Sequence, residues 1–222
     1  DENDWQLAEE KEEHACMVSK AGLFEEEEID IPRLKQEIET IERFIDKAKH
    51  IKKDSKAEAL LTALEQSFAK LHDMGANRKA LIFTESTKTQ SYLCEFLEAN
   101  GYDGKVVLFN GKASEPQTND IYKRWCAEHV DKVSGIKAAD RRAAIVDYFQ
   151  NDAEIMIATE AAAEGLNLQF CSLLINFDLP WNPQRIEQRI GRCHRYGQKF
   201  DVVVVNFINT RNYADVRVFE LL

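Results

Sequence analysis

The feature that most limits the fold is a series of short apolar segments, which begins after Gly75 and alternates with amphipathic stretches. The apolar segments are Lys79–Thr84, Lys105–Phe109, Glu154–Ala158, Ser172–Phe177 and Val202–Phe207. Short runs without polar alternation are typical of strands that are buried on both faces. The stretches between them are predicted helices, at Ser86–Asn100, Arg142–Gln150 and Pro183–Gly191. The pattern therefore predicts an α/β domain with a doubly wound parallel sheet, over residues 75–222.

The chain before Gly75 has a different pattern. Residues 1–30 hold twelve acidic side chains against Lys11 and Lys20, which predicts a solvated, partly disordered segment. Residues 31–74 predict two helices, each with apolar residues at three- and four-residue spacing. We expect the first to begin at Pro32 and to bury one stripe, which consists of Leu34, Ile38, Ile41, Phe44, Ile45 and Ala48. We expect the second to be capped by Ser55, with Glu58 completing a capping box, and to end at Gly75.

The stretch between Gly111 and Arg142 fits the strand–helix alternation poorly. It holds a predicted helix at about Ile121–Val130 and is interpreted as an insertion over residues 112–140. Insertions of this length are often functional, and simple decoration of the fold is an equally open interpretation.

The net charge of −10 does not exclude a nucleic-acid partner. Residues 1–30 account for the whole excess, so the other 192 residues are balanced, with 27 acidic and 27 basic side chains. Local charge is therefore more informative than the average.

The five cysteines are odd in number and form no C-x-x-C pair. This pattern argues against a disulfide framework and against a zinc ribbon. The chain also lacks an apolar run of the roughly 18–20 residues that would cross a bilayer. We expect a cytoplasmic protein with no membrane partner, and the acidic start without Met suggests a piece of a longer chain.

The residues most informative about chemistry lie in the stretch Gln188–Gln198, which packs three arginines and one histidine around two glycines. An arginine side chain is always charged and can bind phosphate oxygens with two parallel hydrogen bonds. Arg192 and Arg195 would share a helix face if the helical turn continued between them. The stretch therefore predicts a phosphate clamp, and a solvated basic surface is the alternative interpretation.

The same stretch resembles motif VI of superfamily-two helicases, Gln-x-x-Gly-Arg-x-x-Arg, and the trailing Tyr-Gly-Gln resembles the Swi/Snf-type ATPases. Other family motifs have similar stretches here in the expected order: Leu81–Thr84, Phe109–Gly111, Arg142–Phe149, Thr159–Leu168 and Asp178–Pro183. The resemblance covers about residues 52–222. The Thr159–Leu168 stretch is closer to bacterial members, including those that recycle polymerases, than to the eukaryotic Lys-Ala-Gly-Gly form. The resemblance implies the C-terminal RecA-like motor lobe of such an ATPase.

The resemblance also implies roles for single residues. Arg192 and Arg195 would be arginine fingers that reach the γ-phosphate on another lobe, and Gln188 would organise the nucleotide side of that cleft. Gly165 and Asn167 would couple the nucleotide cleft to the nucleic-acid groove.

Three further residues are candidate nucleic-acid contacts by the same resemblance. Thr84 and Thr159 carry hydroxyls at strand ends and would bind the backbone of the tracked strand, which positions a protein without reading sequence. Trp181 would brace the motor or lie near DNA, and a packed core aromatic is the alternative interpretation.

The chain lacks a nucleotide-binding P-loop of the form G-x-x-x-x-G-K-[ST]. The stretch most similar to it is Gly111-Lys112-Ala113, with Val106 in place of the first glycine and Ala113 in place of the hydroxyl. A D-E-x-H-type element for magnesium is absent too. We therefore expect that ATP and Mg²⁺ are bound mainly by an N-terminal RecA-like lobe, and that this chain alone does not hydrolyse ATP.

The leading hypothesis is half of an ATP-driven translocase on double-stranded DNA, which moves a cargo such as a nucleoprotein or a polymerase. The second is a non-catalytic interaction module that kept the fold, against which the intact Gln188, Arg192 and Arg195 count. The third is that the acidic residues 1–30 mimic DNA and occupy the groove as an autoinhibitor.

Overall fold

The computed structural model describes residues 30–50, 54–110, 116–163 and 165–220. The chain divides into two compact units, residues 1–53 and residues 54–222. The predictions for the acidic segment lie outside the described residues, apart from Asp30.

In the first unit the described part is one helix, α1, at Ile31–Lys49. It begins as the sequence predicts, with Pro32 in the first turn and with the Asp30 side chain accepting a hydrogen bond from the Arg33 amide at 3.0 Å. None of its residues is buried. The expectation of a buried stripe is therefore wrong, since the apolar side chains of Leu34, Ile41 and Phe44 are exposed.

Within its described residues, the second unit has a five-stranded, entirely parallel sheet in the order β2-β3-β1-β4-β5. The strands are β1 Ala80–Thr84, β2 Val106–Phe109, β3 Ile155–Thr159, β4 Leu173–Asn176 and β5 Val203–Asn206. All five predicted strands are confirmed. Because β1 lies between β3 and β4, the carboxyl ends of these three strands meet at one edge of the sheet.

Helices cover both faces of the sheet, as the doubly wound prediction requires. In chain order they are α2 Ser55–Asp73, α3 Thr87–Leu97, α4 Pro116–Glu128, α5 Lys137–Asn151, α6 Glu160–Ala163, α7 Pro183–Cys193 and α8 Tyr213–Glu220. Alternate strand residues supply two hydrophobic cores: Leu81 and Phe83 face one, while Ala80 and Ile82 face the other. No described helix is long and apolar enough to cross a membrane.

Helix α2 belongs to the same unit as the sheet, so this unit begins at Asp54 rather than at Gly75. The cause is apolar packing, because Leu60, Leu64 and Phe68 lie in the same core as the β1 and β4 side chains. The predicted cap is also shifted by one residue. Asp54 caps α2, since its carboxylate accepts from the amides of the first turn at 2.9 and 3.1 Å, and Ser55 is the first helical residue.

The predicted insertion contributes to the core. Its helix α4 buries Ile121 and Trp125 beside residues of α5, and α5 begins at Lys137, within the insertion. Asp140 is buried and accepts hydrogen bonds from the Ser134 amide and hydroxyl at 2.9 and 2.6 Å. These contacts fix the turn before α5, so the described part of the insertion is more than surface decoration.

One ion pair ties α2 to the functional edge of the sheet. The Lys56 ammonium donates to Asp178 Oδ1 at 2.8 Å, and the Thr84 hydroxyl donates to Asp178 Oδ2 at 2.6 Å. Burial by itself raises the pKa of Asp178, but the hydrogen bonds from Lys56 and Thr84 outweigh burial, so the pKa lies below its ordinary value.

A lowered pKa gives this carboxylate a defined pH signature. The Asp178 carboxylate contributes to the free energy of unfolding above its unfolded-state pKa of about 3.9. This contribution is lost as pH falls through the lower, folded-state pKa. We expect Asp178→Asn to lower the free energy of unfolding at pH 7, and the difference from wild type to shrink below about pH 4. Urea denaturation across pH measures this, with the exposed Asp73→Asn on α2 as the control. A difference that stays constant down to pH 2 would contradict the ion-pair assignment.

Candidate nucleotide-facing site

Helix α7 carries the candidate site, and its start is fixed by the Asn182–Pro183 pair. The Asn182 side chain accepts from the Gln184 amide at 3.0 Å, and Pro183 occupies the first turn, where an amide hydrogen is not needed. The helix then buries Ile186, Arg189 and Cys193 on one face. The start of α7 places Arg189 at the carboxyl ends of β3 and β4, whereas Gln198, at the end of the stretch, reaches Cys171 before β4.

Arg189 is the most tightly held charged residue of the site. Its side chain is 1% exposed and pairs with Glu160 Oε2, with Nε at 2.7 Å and Nη2 at 2.5 Å. Its Nη1 donates to Asn176 Oδ1 at 2.8 Å and to the Asp178 carbonyl at 2.9 Å. Its guanidinium carbon lies 4.7 Å from the centre of the Phe83 ring. One buried arginine therefore joins α7 to the ends of β1, β3 and β4.

A cleft of about 330 Å³ lies beside this network, and we call it the α7 cleft. It is lined by Phe83, Glu160, Ala163, Arg185, Gln188, Arg189 and Arg192. Among the described residues that line it, three arginines against one glutamate leave two positive charges. Among the described residues, the side chains of Arg185, Gln188 and Arg192 have no hydrogen-bond or ion-pair partner. The cleft therefore offers an open cationic wall beside a fully paired arginine, which suits an anionic ligand.

Arg195 lies outside the α7 cleft. The helix ends at Cys193, and His194 has non-helical dihedrals of φ −85° and ψ 82°. The helical turn therefore does not continue, so the condition for a face shared by Arg192 and Arg195 is not met. Arg195 is exposed.

The end of this stretch has a structural role instead. Gly197 has φ +98°, which favours glycine. The turn at Gly197 lets the Gln198 side chain fold back. Its amide nitrogen, Nε2, donates to the backbone carbonyls of Cys171 and Cys193 at 3.1 and 3.3 Å.

Gly165 and Asn167 lie in a second, larger depression of about 700 Å³, which we call the α5 groove. It is also lined by Trp125 of α4, and by Arg142 and other residues of α5. Gly165 has φ +78°, a conformation that favours glycine. The two residues predicted to be near the nucleotide are therefore not among the residues that line the α7 cleft, although Ala163 of the same stretch is.

The three candidate nucleic-acid contacts have different surroundings. The Thr84 hydroxyl is buried and donates to Asp178, and its contact with a nucleic-acid backbone stays a prediction. Thr159 is half-buried at the end of β3, opposite Thr84 in the sheet. Trp181 is 77% exposed, which rules out the alternative of a packed core aromatic.

Sequence reasoning missed the roles of Arg189, Glu160 and Arg185. Arg189 was grouped with the other arginines as a phosphate ligand. A signal was present, because Arg189 lies three residues after Ile186 and four before Cys193, on the apolar side of the helix. Its partner Glu160 follows a different strand, so only the folded sheet brings the two together.

Comparison with known proteins shows similarity to helicases. The family of helicase conserved C-terminal domains matches residues 126–197. The uncharacterised ATP-dependent helicase YqhH of Bacillus subtilis is 34% identical over 208 residues, which cover 94% of this chain and 30% of that protein. Residues 126–197 are therefore similar to the C-terminal domain of helicases, and the chain is similar to part of an ATP-dependent helicase. The RNA polymerase-associated protein RapA of Serratia proteamaculans is 32% identical over 117 residues, which cover 51% of this chain and 12% of that protein.

Two solved structures have a similar fold. The C-terminal part of the Fun30 ATPase domain superposes with a TM-score of 0.54 at 22% identity, over 76% of this chain and 45% of that one. The E. coli DEAD-box protein SrmB gives 0.50 at 17% identity, over 75% of this chain and 78% of that one. The RecA-like fold expected from the motifs is confirmed. The chain spans under a third of the length of the curated relatives it matches.

The contrast between two arginines of α7 gives a stability test. Arg189→Met leaves Glu160 and the Asn176 oxygen without their donor, and we expect the free energy of unfolding to fall by on the order of 3 kcal/mol. Arg185→Met on the exposed face removes no contact, so its effect should stay within about 0.5 kcal/mol. Urea denaturation measures both. Equal effects of the two substitutions would show that Arg189 does not anchor α7.

Proposed function

We propose that this lobe is the C-terminal half of an ATP-dependent nucleic-acid translocase, and that Arg192 acts as an arginine finger with Gln188 beside it. The observation that carries the proposal is the asymmetry of α7. Arg189 has all its donors engaged inside the protein, while Arg192 and Gln188 line an open cleft and have no partner among the described residues. A free guanidinium at an open, cationic cleft is suited to stabilise charge on a transferring phosphoryl group.

Arg195 is proposed as the second finger, with a different approach to the phosphate. It follows the end of α7 and is exposed, so it would reach a ligand from the turn after the helix and not from the helix face. Its exposure supports this role, since a finger must be free to extend across a cleft.

The lobe would bind a complete nucleotide only together with an N-terminal RecA-like lobe. The sequence has no P-loop, and the glycine–lysine pair at 111–112 lies outside the described residues. Among the residues that the structure describes, no group of three or more potential ligands could hold a metal ion. We therefore assign the binding of Mg²⁺ and most of the ATP to the N-terminal lobe. The α7 cleft fits the phosphates alone, through its arginines.

Double-stranded DNA is the proposed track. Trp181 is exposed beside Asp178 and Leu179, in a small pocket that also contains Lys56. Thr159 lies at the same edge of the sheet, and Arg142 in the α5 groove supplies a cation near Gly165 and Asn167. Cations and small residues near an exposed aromatic suit contacts with a phosphate backbone, which carry no sequence preference.

The cargo and compartment follow from the same proposal. The relatives called RNA polymerase-associated proteins suggest a polymerase or another nucleoprotein as the cargo. A DNA-tracking motor of this kind acts in the cytoplasm of a bacterial cell.

The direct test is DNA-stimulated ATPase activity of this chain alone and of the chain joined to its natural upstream sequence. We expect the chain alone to be silent and the joined protein to be active. Arg192→Ala in the joined protein should lower kcat by roughly 10³-fold, the scale of an arginine finger. Glu187→Ala, on the opposite side of α7, is the matched control and should change little. If the joined protein is silent, or Arg192→Ala turns over normally, the non-catalytic interaction module is supported instead.

A further inference from the structure

We propose that the α7 cleft holds two successive phosphates, with Arg192 on one and Arg185 on the other, so that it prefers a diphosphate group to a single phosphate. This inference rests on the proposed function, because it deepens the role of the same cleft. It adds Arg185 as a ligand-binding residue that determines how many phosphates the cleft recognises.

The spacing along α7 supports two separate cation positions. Arg185, Gln188 and Arg192 are three and four residues apart, so they lie in one row along the helix face. At 1.5 Å of rise per residue, the two arginines begin about 10 Å apart along the axis. Both line the same cleft, with the Gln188 amide between them. Because each guanidinium suits one phosphate group, the row is suited to a chain of phosphates.

The electrostatics of the cleft also favour more than one phosphate. Among the described residues of its lining, the single carboxylate is that of Glu160, which is neutralised by the double contact with Arg189. Arg185 and Arg192 therefore contribute their charges without a counter-ion among the described residues. A site with two uncompensated cations binds a diphosphate, with its higher negative charge, better than a monophosphate.

The surroundings of Arg185 set it apart from an ordinary surface arginine. Exposed arginines commonly pair with a carboxylate three or four residues away on the same helix, as Arg217 does with Glu220 at 3.0 Å in α8. In α7 the neighbouring glutamate, Glu187, is two residues from Arg185 and so lies on the other side of the helix. Arg185 is left free toward the cleft.

The first test uses the 222-residue chain and two probes, inorganic pyrophosphate and inorganic orthophosphate, titrated by ¹H–¹⁵N NMR at matched ionic strength. We expect wild type to bind pyrophosphate more tightly than orthophosphate, with shifts centred on α7. Arg185→Ala should weaken pyrophosphate binding by roughly tenfold and leave orthophosphate binding unchanged. Glu187→Ala is the matched control on the same helix and should preserve the preference.

A competition experiment with DNA distinguishes two sources of the phosphates, a nucleotide and a nucleic-acid backbone. A short DNA duplex should not displace pyrophosphate from the α7 cleft, since its phosphates belong to separate phosphodiesters. Displacement by the duplex would overturn the proposal in favour of a backbone contact. The proposal would also be overturned if the wild-type chain bound neither anion or bound both equally well. A preference for pyrophosphate that survives Arg185→Ala would overturn it too.

Kinetics of the chain joined to its upstream sequence separate this inference from the proposed function. We expect Arg185→Ala to raise KM for ATP by roughly tenfold with kcat nearly unchanged, whereas the fingers act on kcat. If Arg192→Ala abolishes turnover while Arg185→Ala leaves KM unchanged, the two-phosphate site is wrong and the arginine-finger proposal stands. If neither substitution has an effect, both fail.

Discussion

The functional edge of this lobe depends on one buried charge. The Arg189 side chain is only 1% exposed, and an unpaired guanidinium in that position would be severely destabilising. Its stability requires Glu160, Asn176 and the Asp178 carbonyl to be in place together. These partners follow different strands, so the pairing of Arg189 forces the ends of β3 and β4 and the helix α7 into one arrangement.

The arrangement of Arg189 decides which face of α7 is available to a ligand. The buried face of α7 is fixed by Ile186, Arg189 and Cys193. The side chains of Arg185, Gln188 and Arg192 therefore line the α7 cleft. A parallel sheet with β1 between β3 and β4 brings the necessary strand ends to the same edge. Lys56 of α2, which lies outside the motif-like stretches, then braces that edge by pairing with Asp178. The topology of the sheet thus brings together the residues of the buried ion pair. The ion pair in turn leaves the cationic face of α7 free.

Much of this was predictable from the sequence, for physical reasons that differ by element. The five strands were predicted because strands buried on both faces must be continuously apolar, and the start of α7 because Asn182–Pro183 is a strong local signal. The exposure of α1 was not predictable, since an apolar stripe does not say what covers it. The engagement of Thr84 by Asp178 and of Arg189 by Glu160 was also missed, because both pairs form only through the sheet. The end of helix α7 at Cys193 depends on the backbone dihedrals of His194. The spacing of the arginines in the sequence does not reveal those dihedrals.

The most direct measurement of the central claim is the affinity of the chain, joined to its upstream sequence, for ADP–aluminium fluoride, a mimic of the transferring phosphoryl group, compared with ADP alone. If Gln188 and Arg192 complete the nucleotide site from the α7 cleft, wild type binds the mimic much more tightly than ADP. Arg192→Ala should then lose that advantage while keeping its affinity for ADP. An Arg192→Ala protein that still prefers the mimic as strongly as wild type would contradict the claim.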